Sequence, residues 1–233
     1  MSLMRCQLSS ISTLSASVYR VELTPPEPLR FVAGQYLQVV MGENDKRAFS
    51  IASTPAEADR IELHIGAEPG NSYANEVLDK LKADGEILVE APQGVATYQE
   101  HSKRPLLLIA GGTGFSYTWS IAQTHLASAD ERPLVLYWGA RELADLYLHE
   151  QLQQLAQEHE KFSYCPVLQS PPADWQGATG LVHHAVMHDF AEQLVSFDVY
   201  VAGRFEMVRV VRDDFIQHGL PLEQLFGDAL SFI

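Results

Sequence analysis

Two short stretches hold the residue types that could do chemistry. In IAGGTGFSY, Ile109 to Tyr117, an unbroken apolar run from Leu106 to Ala110 ends in Gly111, Gly112, Thr113 and Gly114 and then enters a helix-like pattern. Glycines at a strand-turn-helix corner let the main chain approach a ligand closely, and the first helical amides, near Phe115, are expected to point unpaired toward an anion. A pyrophosphate is the natural occupant. The spacing is G-G-x-G and not G-x-G-x-x-G, so a tight turn that holds no ligand is the competing reading.

The second stretch is KRAFSIAST, Lys46 to Thr54. It follows a turn and leads into a strand pattern, so alternation aims Arg47 and Phe49 to one side and Ser50 to the other. Taken alone, Arg-x-x-Ser is an ordinary surface strand.

Two different grammars must position these stretches. Up to Tyr98 the chain reads as short strands of alternating polarity, with Tyr19, Val21 and Leu23 on one face and Ile61, Leu63 and Ile65 on another. Turn-formers at Thr24–Pro28, Met41–Lys46 and Ala91–Gly94 separate them. One helix is expected from Asn71 to Ala83, capped by Asn71 or Ser72, with Tyr73, Val77, Leu78 and Leu81 on its inner face. Many short strands with one embedded helix suggest a small antiparallel β-barrel.

Beyond Tyr98 the segments 106–110, 134–138 and 197–202 are nearly continuous apolar runs, as in parallel strands buried on both faces. Helical patterns at 116–127, 148–155, 182–194 and 206–218 alternate with them, which argues for a doubly wound parallel-sheet α/β domain. The polar stretch YQEHSKRP, Tyr98 to Pro105, marks the boundary, giving domains at 1–98 and 103–233. In the opening MSLM a second methionine stands at Met4, and Met1 to Leu3 read as a short appended segment of no structural weight.

Composition narrows the function classes. The 233 residues carry a formal net charge of -14, which repels phosphate backbones and anionic lipid, so neither nucleic acid nor a membrane surface is expected as a partner. No apolar run approaches the roughly 20 residues of a membrane-spanning helix, and a cytoplasmic location is expected. Two cysteines, Cys6 and Cys165, cannot supply the four ligands of an iron–sulfur cluster. His183 and His184 are expected to point to different sides of a helix, and no metal site is expected. The carboxylates Asp213-Asp214 and Glu158 with Glu160 read as solvated faces, and Tyr137-Trp138 and Phe162 with Tyr164 as core.

Taken in order, RAFSIAST, LHIGA, the P-x-G of Ala91–Gly94, IAGGTGFSY, YWGARE, AGRFEM and the C-terminal LFGDALSFI span essentially the whole chain. Together they resemble the ferredoxin–NADP(+) reductase superfamily, and within it the NAD(P)H:flavin oxidoreductases, including those that accompany bacterial luciferase. The resemblance implies that Arg47, Ala48, Phe49 and Ser50 line a flavin site, with Ser50 at the hydride-accepting N5 as the catalytic residue and Arg47 toward the ribityl or phosphate end, where a cation favours FMN. His64, Ile65 and Gly66 would flank the ring edge, although His64 also reads as a strand residue with an ordinary polar neighbour. Ser116 would approach the flavin.

By the same resemblance Gly111, Gly112, Thr113 and Gly114 would cradle the dinucleotide, with Gly139 and Arg141 around its adenosine half and Gly203 and Arg204 also among the residues that bind it. Many superfamily members carry Cys-Gly where this chain has Ala202-Gly203. Hydride transfer tolerates that loss, since it needs nicotinamide C4 stacked near N5 and no protein nucleophile. Arg141 favours a 2′-phosphate and Glu142 a ribose hydroxyl, so NADH and NADPH both stay open.

The implied activity is transfer of a hydride from NADH or NADPH to riboflavin, FMN or FAD. The flavin leaves as a diffusible product because no insertion after Gly94 grips an adenosine. A flavin-consuming monooxygenase or luciferase would take it. The alternatives are a reductase that retains FAD and feeds a protein partner, for which PGNSY (Pro69 to Tyr73) could hold the pyrophosphate, and a dinucleotide-binding module with no turnover.

Overall fold

The computed structural model describes residues 2–233, and the chain divides into two compact units. One contains the chain up to Tyr98 together with Trp119–Thr124, and the other Gln99–Thr118 with His125–Ile233.

The first unit is built on β1 (Ser2–Thr13), β2 (Val18–Thr24), β3 (Tyr36–Gly42), β4 (Asp45–Ser50), β5 (Ile61–Gly66), the helix α1 (Ser72–Asp84) and β6 (Glu86–Gln93). The strands pair antiparallel in the order β4-β3-β6-β1-β2-β5. The chain leaving β4 then bonds to β5, with the Ala52 N–H donating to the Glu62 carbonyl at 2.8 Å, which curls the sheet into a barrel. Ser2 and Leu3, read above as appended, begin β1 opposite Ala91 and Glu90.

Alternation places Val21, Leu23, Leu37, Val39, Ile87 and Val89 in the core, where Val77, Leu78 and Leu81 of α1 join them. Burial of each such side chain contributes about 1.5–3 kcal/mol. The helix starts where Asn71 caps the Ala74 N–H and stops at Gly85, whose left-handed φ of 69° lets its N–H close on the Leu81 carbonyl. Ala74 takes the inner position expected for Tyr73, which is exposed instead.

The second unit contains β7 (Leu106–Gly111), α2 (Phe115–Leu126, shared with the first unit), β8 (Leu134–Ala140), α3 (His149–Glu158), β9 (Phe162–Leu168), β10 (Ala178–Thr179), α4 (Val182–Phe190), β11 (Asp198–Ala202), α5 (Phe205–Gln217) and β12 (Leu225–Phe226). Its sheet is wholly parallel in the order β10-β9-β8-β7-β11-β12. The order reverses between β7 and β11, and in doubly wound sheets ligands bind at the carboxyl ends of the strands at this point.

Leu106 to Ala110 are fully buried, which explains their unbroken apolar run. At the opposite end of the sheet Arg132 bonds Asp130 and donates to the carbonyls of Gln99 and Arg104, fastening the polar stretch after Tyr98 onto this unit.

Candidate functional site

In the first unit the site begins at β4. Arg47 is only 8% exposed and all five of its N–H donors are engaged. Its Nε and Nη2 bond the Asp45 carboxylate at 2.9 and 2.6 Å, and Nη2 also bonds Glu76 at 2.6 Å. Its Nη1 donates to the carbonyls of Tyr73 and Ser72 at 2.8 and 3.3 Å. Hydrogen bonds to Asp45 and Glu76 raise the Arg47 pKa further, and the Arg47 bond holds the Asp45 carboxyl below its usual value.

Tyr73 completes the clamp. Its hydroxyl accepts the Ala48 N–H at 2.7 Å, the Arg47 guanidinium stands 5.3 Å from its ring centre, and its ring lies 5.9 Å from that of Phe49. Reading Tyr73 as core hid this role; the signal was an aromatic with a polar tip in the first turn of a helix that follows a glycine.

Ser50 differs from its neighbours. It is half-buried, and its hydroxyl makes no hydrogen bond among the described residues. The chain just beyond it is held firmly. Gln123 Nε2 donates to the Ala52 carbonyl at 2.9 Å and Ser120 Oγ to the Ser53 carbonyl at 2.7 Å, both from the turn of α2 that belongs to this unit. The Ser53 hydroxyl in turn accepts the Glu62 N–H at 3.1 Å. Neither Ser120 nor Gln123 stands out in the sequence, because a polar residue on a helix does not reveal which carbonyl it meets.

On β5 the His64 ring is buried, with Nε2 2.8 Å from Glu62 Oε1. Burial lowers the His64 pKa against the opposing pull of Glu62. Burial alone would raise Glu62, but the bond and charge of His64, with Arg20 and Arg60, bring it down to about 2. Ile65 is fully buried in the core, so only its main chain, with Gly66, lies where the strand edge could meet a ligand.

In the second unit the glycine corner is a single turn of 3-10 helix, Gly112–Gly114, leading into α2. The Phe115 N–H bonds back to the Gly112 and Thr113 carbonyls, contrary to the expectation that it is unpaired. The amides that lack a preceding turn are those of the glycine corner itself. Only Gly112, at φ 54°, needs the left-handed region.

Gly111, Gly114 and Gly203 are required by packing. A Cβ on Gly114 would lie 2.7 Å from the Gly203 nitrogen and collide with the Ala202 carbonyl, and one on Gly111 or Gly203 would strike the Met207 sulfur. The turns that follow β7 and β11 are therefore brought together at the switch point, with Met207 in the first turn of α5 filling the space. Gly139 serves the same purpose on β8, where a Cβ would lie 2.8 Å from the Val182 Cβ.

Around this corner Thr113 is half-buried and Arg141 and Arg204 are exposed, and Arg141 touches Glu142 only loosely, at 3.9 Å. The Ser116 hydroxyl is directed back to the Thr113 carbonyl at 3.1 Å. The Gly112 carbonyl accepts the Trp138 indole N–H at 3.0 Å, and Phe115 stacks on Trp138 with ring centres 3.8 Å apart. Burial pushes Asp228 up to about 7, and the Tyr117 hydroxyl is raised by burial and by the charges of Asp228 and Tyr200.

The His183 and His184 rings lie 4.2 Å apart and not on opposite sides. His184 and His188 stand four apart on α4, a spacing the sequence reading passed over. Among the described residues no group of three or more His, Cys, Asp or Glu side chains could hold a metal, and no helix is long and apolar enough to cross a membrane.

Comparison with known proteins agrees with the architecture. The oxidoreductase FAD-binding domain family matches residues 5–98 and the oxidoreductase NAD-binding domain family residues 108–213. The chain is 48% identical to an NAD(P)H-flavin reductase of Vibrio harveyi and 46% identical to one of Aliivibrio fischeri, over 98% of this chain in both cases and 99% and 98% of the relatives. Among solved structures it is similar to the Amycolatopsis cytochrome P450 reductase GcoB, with a TM-score of 0.88 and 28% identity over 97% of this chain and 69% of that one. The chain belongs to the NAD(P)H-flavin reductases of the ferredoxin reductase superfamily.

Proposed function

We propose that the protein transfers a hydride from NADH or NADPH to N5 of a free flavin bound at β4, and that the reduced flavin then leaves. The observation that carries this reading is the unpartnered, half-buried Ser50 hydroxyl on a strand whose other polar side chains are all engaged. A hydroxyl can donate to N5 in the oxidised ring and accept from it in the reduced ring, so one side chain serves both ends of the reaction. Ser120, Gln123 and Glu62 hold the main chain after Ser50, which keeps that hydroxyl preorganised. Ala48, Phe49 and the main chain of His64, Ile65 and Gly66 complete the flavin side.

On the nicotinamide side, Gly111 to Gly114 and Gly203 give a corner bare of side chains, where the pyrophosphate can lie against main-chain amides. Arg141 and Arg204 supply exposed cations to an otherwise acidic chain, with Gly139 and Arg141 toward the adenosine. Ser116 orders the turn through Thr113. The protein supplies orientation and electrostatics; the ring systems supply the chemistry. The reduced flavin passes to a flavin-consuming monooxygenase or luciferase, and the reaction belongs to the cytoplasm.

Steady-state kinetics test the reading. Purified protein freed of flavin should oxidise NAD(P)H only when riboflavin, FMN or FAD is added, at a rate that saturates in flavin. A yellow cofactor bound one to one through purification, with no response to added flavin, contradicts it.

A further inference from the structure

Arg47 is a cation that the family resemblance puts toward the ribityl or phosphate end of a flavin, yet its immediate surroundings are anionic. Asp45 and Glu76 grip it from two elements, β4 and α1, and the Ser72 and Tyr73 carbonyls take its remaining donors. The two carboxylates are about half exposed, 46% for Asp45 and 54% for Glu76, whereas the guanidinium is 9% exposed. A phosphate approaching this corner from solvent therefore meets two negative charges before the positive one. It gains a bond to Arg47 only by displacing a charge-assisted bond already made.

We infer that Asp45 and Glu76 are specificity-determining residues that withhold Arg47 from the flavin phosphate, so that the site selects the isoalloxazine and ribityl portion and gains nothing from a 5′-phosphate. This rests on the reading of β4 as the flavin strand with Arg47 at its phosphate end, and it predicts the opposite of the expectation that Arg47 favours FMN. The arrangement is a case of discrimination built by repulsion: the carboxylates leave the neutral ribityl end untouched and penalise the anionic one.

The test compares kcat/KM for riboflavin and FMN in the wild type, Glu76→Gln, Asp45→Asn and the double variant. Asn and Gln keep the shape and one acceptor oxygen at these half-exposed positions, and circular dichroism checks that each variant is folded. The FMN-to-riboflavin ratio should rise about tenfold in Glu76→Gln and further in the double variant. Asp79, exposed one turn further along α1, has no bond to Arg47. Asp79→Asn should leave the ratio unmoved.

In the wild type, added salt should not raise the KM for FMN relative to riboflavin, because no Arg–phosphate pair exists to be screened. An unchanged ratio in all the Asp45 and Glu76 variants overturns the proposal, as does an equal rise in Asp79→Asn or a salt-dependent loss of FMN affinity in the wild type. Retained riboflavin reduction with an unchanged ratio sinks this inference alone, whereas absence of flavin-dependent NAD(P)H oxidation in the wild type sinks the functional reading beneath it.

Discussion

The Tyr73 hydroxyl accepts the Ala48 main-chain N–H at 2.7 Å, joining the first turn of α1 to the outer edge of β4. An edge strand leaves such donors open, and here a side chain satisfies one next to the residues that would hold the flavin. Tyr73→Phe removes only the acceptor. It should cost about 0.5–1.5 kcal/mol in denaturant unfolding and raise the KM for flavin more than it lowers kcat. Unchanged stability and KM would show that the latch contributes nothing.

Ser50→Ala should leave the fold intact and slow flavin reduction by roughly 5- to 150-fold, the equivalent of about 1–3 kcal/mol for a hydrogen bond made in the transition state. Rapid mixing of variant and wild type with flavin and NAD(P)H measures it. An unaltered reduction rate removes Ser50 from the catalytic role.

At the glycine corner, Gly114→Ala and Gly111→Ala separate two kinds of crowding. The new methyl at Gly114 meets the main chain of Ala202 and Gly203, which cannot yield, and should cost about 3 kcal/mol. At Gly111 it meets the flexible Met207 thioether and should cost about 1 kcal/mol. Thermal unfolding gives both, and the reverse order contradicts the packing account.

Asp228 sets a pH dependence. Burial raises its folded pKa to about 7 from an ordinary 3.8, so ionising it opposes folding. Its stabilising effect is complete below about pH 4 and is lost as the pH rises through 7. The gap in melting temperature between Asp228→Asn and wild type should therefore widen in favour of the variant from pH 5 to pH 8. A constant gap would mean that Asp228 titrates normally.

The unbroken apolar runs and the alternating strands revealed both sheets, because burial on two faces or on one leaves a direct mark on composition. Short edge strands such as β10 and β12 left none, since two residues establish no period. The glycines at 111, 114 and 203 were legible as special positions, but not as packing positions: the pattern does not distinguish room for a ligand from room for Met207. Arg47 showed its type and not its partners, because Glu76 reaches it across 29 residues of sequence.

The most direct test is an anaerobic single turnover of flavin-free protein with one equivalent each of NAD(P)H and riboflavin, followed by ultrafiltration. The account predicts that the flavin is fully reduced and recovered in the filtrate, with the protein left without flavin. Flavin that remains oxidised, or that is reduced but retained on the protein, contradicts it.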